Sequence, residues 1–236
     1  MPVFELCADL IFPHPSYAEE DGFLAYGGDL TSERIILAYK NGIFPWFNPG
    51  DPIMWWSPNP RCVLFPEKLK VSKSLLTVLK KKKFTIKCDS AFLEVIVHCA
   101  KTARKKQTGT WITNEIIDAY ANLHKMGIAH SIEAYQNDKL VGGLYGLAIG
   151  KVFFGESMFY HVSDASKVAF CHLVKYLNVK GYQIIDNQMQ TEHLMRFGSE
   201  LIDRSAFLDI VKKACAEEIN TSNWTGFNSF CSNIAW

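Results

Sequence analysis

The sequence predicts an α/β chain, in the looser sense of α+β, built as a small irregular N-terminal domain (residues 1–60) followed by a mixed-sheet domain (residues 61–236). Three observations carry this. The stretch GIFPWFNPGDPIMWWSPNPR, residues 42–61, holds five prolines and three tryptophans and cannot be a helix. From Arg61 onward, strand-like and helix-like segments alternate with turn punctuation between them. Within that second part, three consecutive strands are followed by helix, strand and helix.

Residues 1–30 read as loops and short strands, with FPHPS, EEDG and YGGD as turns. LTSERIILAYKNG then reads as a helix. Asp29, Thr31 and Ser32 offer capping oxygens, Ile35, Ile36 and Tyr39 recur at helical spacing, and Gly42 stands where a closing glycine belongs. The Pro/Trp stretch reads as a rigid loop, because each proline fixes φ and removes a ladder donor. RCVLFP is a strand, VSKSLLTVLKKKK a helix and FTIKC a strand. AFLEVIVHCAKTA and NEIIDAYANLHKMG are helices, the second ended by Gly127. Residues 129–159 form three strands that turn at Gln136-Asn137-Asp138 and at Ile149-Gly150-Lys151. SDASKVAFCHLVKYLNVKG is a helix with Ser163 at its start and Gly181 past its end. YQIIDNQ is a short buried strand, and two helical stretches run from about 191 to 217. The tail TSNWTGFNSFCSN is too weakly patterned to assign.

Composition bounds the function. At 236 residues, with 48% apolar and 21% charged, the chain can bury a full core without staples. Its seven cysteines are scattered, with no CxxC pair, as expected of free thiols in a reducing compartment. MPVFELCADL lacks the form of a signal peptide, and no run of eighteen apolar residues occurs, so a cytoplasmic protein without membrane contact is expected. The net charge of +1 hides a segregation. Residues 68–106 hold twelve positive and two negative side chains, so the remainder of the chain is net negative. Such a stripe suits a phosphate backbone, and equally a solvated helix whose lysines complement its C-terminal dipole.

Neither a metal ligand set nor a nucleophilic triad is expected. The seven histidines form no HxH, HxxxH or HExxH, and His193 stands alone beyond a strand. Ser157 has no GxSxG context, and no cysteine stands in a nucleophile signature.

GGDL (27–30), GIFPWF (42–47), DPIMWWSPNPR (51–61), GTWIT (109–113), HSIEAY (130–135), LVGGLYG (140–146), FFGESMF (153–159), ASK (165–167) and IIDNQ (184–188) occur in this order. Together they resemble the leucyl/phenylalanyl-tRNA–protein transferases, over about residues 12–210. The resemblance implies an acetyltransferase-like (GNAT-like) second domain and an enzyme of the bacterial N-degron pathway. It would move Leu, Phe or, less well, Met from charged tRNA to the α-amine of a protein beginning with Arg or Lys, marking it for degradation. No cofactor beyond the donor tRNA is implied, and a monomer is expected.

The resemblance also implies a site, and each residue has its own chemistry. Trp46 and Trp111 would lie about the terminal adenosine of the tRNA, since an indole on a stiff loop is a stacking face worth roughly 1–3 kcal/mol per base. A core role joining the two domains is the other reading, and it is the one expected for Trp55 and Trp56. Glu156, beside Ser157, would meet the aminoacyl amine or the ribose; the other reading is a buried carboxylate satisfied by backbone donors. Phe170, Leu173 and Leu177 recur on one helix face, which by periodicity is core. In the family that face walls the side-chain pocket with Leu144 and Phe153. Asp186 and Gln188 are two apart on a strand and so share a face; the resemblance makes them the catalytic pair. Asp186 would attract the incoming cation and orient Gln188, whose carboxamide would hold the attacking amine; the other reading of Asp186 is a strand-end carboxylate making turn hydrogen bonds. Lys73, Lys80, Lys81, Lys82 and Lys83 would contact the tRNA backbone.

Three other functions would each leave a different mark on the sequence. An acetyl-CoA N-acetyltransferase would need a glycine-rich pyrophosphate loop, which ASK lacks. A non-catalytic RNA-binding module would leave FGESMF and IIDNQ without purpose. A peptidoglycan aminoacyltransferase also uses charged tRNA, but such enzymes are usually longer.

Overall fold

The computed structural model describes residues 3–102, 110–216 and 224–236. In chain order, strands β1 (Phe4–Leu6) and β2 (Phe23–Gly27) are followed by helix α1 (Ser32–Lys40) and strands β3 (Phe44–Pro45) and β4 (Met54–Trp56). These four strands form one sheet in the order β1-β2-β4-β3. The Pro/Trp stretch is therefore not wholly loop, because β4 lies inside this sheet. The prolines permit it by position: Pro45 is on the edge strand β3, Pro49 and Pro52 are in the connection, and β4 itself has none.

The second part contains β5 (Arg61–Leu64), α2 (Lys73–Lys80), β6 (Thr85–Cys88), α3 (Phe92–Lys101), α4 (Asn114–Lys125), β7 (Ala129–Gln136), β8 (Lys139–Ile149) and β9 (Val152–Tyr160). It continues with α5 (Ala165–Val179), β10 (Ile184–Asp186), α6 (Glu192–Met195), β11 (Glu200–Ile202), α7 (Arg204–Ala214) and α8 (Phe227–Asn233). Its strands form a seven-stranded sheet in the order β11-β5-β10-β9-β8-β7-β6. Every pairing is antiparallel except β9 with β10.

Local chemistry explains most boundaries. Thr31, Ser72, Thr113 and Thr191 cap α1, α2, α4 and α6 through their hydroxyls. Asn137 and Asp138 both take positive φ and join β7 to β8 as a two-residue turn. At the start of α5 the residue in capping position is Asp164, not Ser163. Asp164 is left-handed and caps nothing with its side chain, because its carboxylate accepts from Lys167 Nζ at 2.8 Å. β11 and α8 were not anticipated: β11 has three residues, none of them fully buried, and in α8 only Phe227 is fully buried.

The large sheet separates two packed layers, and its strands alternate between them. Tyr145, Leu147, Ile149, Phe154 and Ile184 belong to a cluster with α1, α3, α4 and the smaller sheet. Leu144, Ala148, Phe153 and Ile185 belong to the opposite cluster, with α2, α5 and α8. The smaller sheet thus shares a core with the larger one. Gly142 is required by this packing, since a Cβ there would lie 2.6 Å from Ala165 Cβ, where α5 begins.

Two irregularities open the site. The parallel pairing of β9 and β10 ends at Asp186 opposite Phe154, yet β9 runs on to Tyr160. The strands therefore part. Just there, the β8–β9 register passes from Gly146–Gly155 to Tyr145–Ser157, leaving Glu156 without a cross-strand partner. This is a β-bulge, a device that re-aims a side chain.

Candidate active site

A cavity of 370 Å³ lies where β9 and β10 diverge. Its polar lining includes Glu156 and Gln188, its apolar lining Leu144, Phe153, Phe170, Met158 and Leu194, and Trp46 and Trp111 line the same space. Eight residues singled out from the sequence thus meet in one cavity: Trp46, Trp111, Leu144, Phe153, Glu156, Ser157, Phe170 and Gln188. Trp111 is buried and Trp46 half-buried. Trp46 is fixed by Trp56, whose ring meets it edge-on at 5.4 Å and whose Nε1 donates to the Trp46 carbonyl at 2.6 Å.

Gln188 is not on a strand, because β10 stops at Asp186. Its backbone is left-handed, with φ of 59°, a conformation that costs a non-glycine residue energy and must be held from outside. Three bonds hold it. Its N–H donates to Asp186 Oδ1 at 2.9 Å, its carbonyl accepts from Cys62 N at 3.1 Å, and its Nε2 donates to Glu156 Oε1 at 3.2 Å. With the carboxamide nitrogen on Glu156, the amide oxygen is left for the cavity.

Asp186 differs from expectation. Its carboxylate is fully buried and does not line the cavity. Arg61, equally buried, grips it with Nε on Oδ1 at 2.9 Å and Nη2 on Oδ2 at 2.7 Å. The pair is internally neutral, so Asp186 cannot draw an incoming ammonium as its strand position suggested. Arg61 also donates to the Gly42 carbonyl at 3.1 Å and lies between the rings of Phe44 and Phe207. One guanidinium therefore joins the segment carrying Trp46 to the turn carrying Gln188.

Glu156 is held by side chains, not by the backbone donors considered from sequence. Tyr39 Oη donates to Oε1 at 2.6 Å and Tyr120 Oη to Oε2 at 3.2 Å. Burial pushes its carboxyl up to about 7, against these hydrogen bonds, which favour the charged form.

Leu173 and Leu177 do not reach the cavity; both are fully buried in the core. The core reading that helical spacing gives holds for both; the pocket-wall role implied by the resemblance does not, because α5 is buried on nearly every side.

Residues 63–212 match the family model described as leucyl/phenylalanyl-tRNA protein transferase, and residues 28–59 match its N-terminal domain. The chain belongs to the leucyl/phenylalanyl-tRNA protein transferase family. A relative so named from Thermodesulfovibrio yellowstonii is 51% identical, over 100% of this chain and 96% of its own length. Another, from Syntrophobacter fumaroxidans, is 51% identical over 96% of this chain and 97% of its own. Among solved structures, L-PGS from Bacillus licheniformis superposes with a TM-score of 0.44 at 10% identity, over 82% of this chain and 73% of that one. A GCN5-related N-acetyltransferase from Kribbella flavida gives 0.36 at 12%, over 70% and 58%.

In this member of the transferase family, Lys73, Lys80, Lys81, Lys82 and Lys83 are exposed on or just after α2, and none lines the cavity. Arg104, Lys105 and Lys106 of the basic stripe lie outside the described residues. Among the described residues, Cys88, Asp89 and His130 could together approach a metal ion. Their polar atoms are engaged with one another and with the backbone. His130 Nδ1 is 2.7 Å from Asp89 Oδ2 and Nε2 is 3.1 Å from the Gly127 carbonyl, while burial pushes the Cys88 thiol up. Among the described residues, no helix is long and apolar enough to cross a membrane.

Sequence reasoning missed Arg61, Tyr39, Tyr120 and the positioning role of Trp56. It also left His193 unassigned, which lines the cavity with Nε2 shielded and unpartnered. Burial, then Lys167 and Arg196, hold that imidazole toward its neutral form. Arg61 closes the motif PNPR and Tyr39 sits in a helical pattern, but only the fold joins them to the site.

Proposed function

We propose that this transferase moves Leu, Phe or, less well, Met from aminoacyl-tRNA to the α-amine of proteins that begin with Arg or Lys. The observation that carries the reading is the joint lining of one cavity by two indoles, an apolar floor and the Gln188–Glu156 pair. Trp46 and Trp111 take the terminal adenosine. Leu144, Phe153 and Phe170 take the side chain, where crowding at Cβ disfavours Val and Ile. Lys73 and Lys80–Lys83 meet the tRNA backbone, and Ser157 lies beside the aminoacyl group.

The chemistry asks for placement. The ester is already activated, and an α-amine titrates at about 7.7–8.0, so part of it is neutral near neutrality. The Gln188 amide oxygen accepts a hydrogen bond from that amine and aims its lone pair at the ester carbon. The new N–C bond forms, the bond from that carbon to the ribose oxygen breaks, and the oxygen leaves with a proton from the amine. Asp186 contributes by holding the Gln188 turn. No cofactor is needed, and the enzyme acts as a monomer in the cytoplasm, where its seven cysteines stay free.

The test is incubation with labelled Leu-tRNA and a peptide beginning with Arg, beside the same peptide N-acetylated. Label should enter only the open amine, be abolished by ribonuclease and be indifferent to acetyl-CoA. Labelling of the blocked peptide would rule out attack by the α-amine.

A further inference from the structure

Among the described residues, Glu156 is the only carboxylate that lines the cavity, and two buried phenols close over it from different parts of the chain. Tyr39 comes from α1 and Tyr120 from α4. Tyr39 Oη is 2.6 Å from Oε1, Tyr120 Oη is 3.2 Å from Oε2, and the two phenol oxygens are 2.7 Å apart. The contacts form a ring, and each needs one hydrogen. The phenols supply two. Neither phenol ionises, because burial first and the neighbouring carboxylate second push both well above their ordinary range. With Glu156 ionised, one contact sets lone pair against lone pair. With Glu156 neutral, all three are filled, and Oε1 still accepts from Gln188.

Among the described residues, the surroundings supply no compensating cation. Asp186 is the next charge, and it is matched by Arg61; Tyr145, from β8, packs edge-on against Tyr120. Among the described residues no ion pair reaches Glu156.

We propose that Tyr39, Tyr120 and Glu156 form one proton-holding unit whose resting carboxyl is neutral and which releases its proton to water when a cationic amine of the donor binds beside it, given the reading that the aminoacyl group enters this cavity. The carboxyl O–H breaks, the proton passes to solvent, and an N–H of the ammonium takes its place against the carboxylate. Tyr39 and Tyr120 line no part of the cavity and are positioning residues: they act through Glu156 on the Gln188 carboxamide. The N-terminal helix thereby helps set the charge of the pocket floor.

Infrared difference spectra of the ligand-free full chain against Glu156→Gln isolate this carboxyl from that of the buried Glu133. A neutral-carboxyl band should be present at about pH 6 and vanish on titration through neutrality. Each phenol alone favours the carboxylate, but the two together leave one contact of the ring without a hydrogen when Glu156 is ionised. Tyr39→Phe and Tyr120→Phe each relieve that contact and should move the midpoint downward by roughly half to one pH unit; an upward move overturns the unit. A purely structural role would lower stability and leave the midpoint in place. Absence of the band at about pH 6, or an unmoved midpoint in both Phe variants, overturns the unit.

Calorimetry with an amide-linked phenylalanyl-adenosine, in buffers of different ionisation heat, supplies the second arm. Release should approach one proton per ligand at about pH 6 and turn to uptake at about pH 9, where the free amine must gain a proton to bind as the ammonium; the release at about pH 6 should be lost in Glu156→Gln. Binding without release overturns the inference and leaves the transferase reading standing. A band that titrates as expected, with no binding of the nucleoside, overturns the transferase reading instead.

Discussion

Replacing Asp186 by Asn would leave the Arg61 guanidinium buried without its counter-charge. Removing one partner of a buried ion pair costs about 3–5 kcal/mol. Arg61 keeps the Gly42 carbonyl and two aromatic faces, which places the expected loss near the lower end, about 3 kcal/mol. That is a large share of a typical domain's stability of about 5–15 kcal/mol, but not all of it. The reverse change, Arg61→Met, strands the carboxylate and should cost a similar amount. Both should also displace Gln188, whose N–H is anchored on Asp186 Oδ1. A displacement of about 1 Å in a positioned group lowers turnover by roughly a hundredfold. Urea unfolding gives the first quantity, and single-turnover transfer from saturating Leu-tRNA to an Arg-initiated peptide gives the second. The double variant should be no worse in turnover than either single one, because both cut the same support. Full turnover in Arg61→Met beside loss in Asp186→Asn would refute the positioning argument and show Asp186 acting on substrate directly.

Glu133 gives a pH prediction. Burial raises its carboxyl from 4.5 to about 7, so its contribution to stability is complete below about 4.5 and is lost as pH rises through about 7. Glu133→Gln should match the parent at about pH 4.5 and be more stable at about pH 9, by up to about 3 kcal/mol; equal differences at both values would sink this account. Leu173→Ala should cost about 2–5 kcal/mol in urea unfolding and leave the ratio of Leu to Phe transfer unchanged, whereas Phe170→Ala should change that ratio. Neutralising Lys80–Lys83 should weaken tRNA binding and reduce its salt slope by roughly one per phosphate contact removed, with transfer at saturating tRNA preserved; an unchanged slope would place the tRNA elsewhere.

Much of this site was legible because its residues stand in short motifs with strong local chemistry. Glu156 in an apolar strand is costly, and so it points to a cleft. Gln188 was found by motif, yet the period-two argument placed it on a strand that ends two residues earlier. Asp186 was read as a free charge because nothing in IIDNQ reveals a guanidinium 125 residues away. Tyr39 and Tyr120 were unreadable for the same reason: hydrogen bonds between distant helices leave no periodic trace. The strands and helices were largely predictable where a segment is long and bounded by clear turn residues, as in β7, β8 and α4. They were missed where a three-residue strand has no fully buried residue, as in β11, or where only one side chain of a helix is fully buried, as Phe227 in α8.

The shared core has a consequence for dissecting this protein. A chain started at residue 61 would lack Tyr39, the Gly42 carbonyl and Trp46, and would expose the underside of the large sheet where the smaller one rests. Such a fragment would not be a slower catalyst relieved of an RNA-holding appendage. It would be half of a mould, with the impression of its substrate missing on one side.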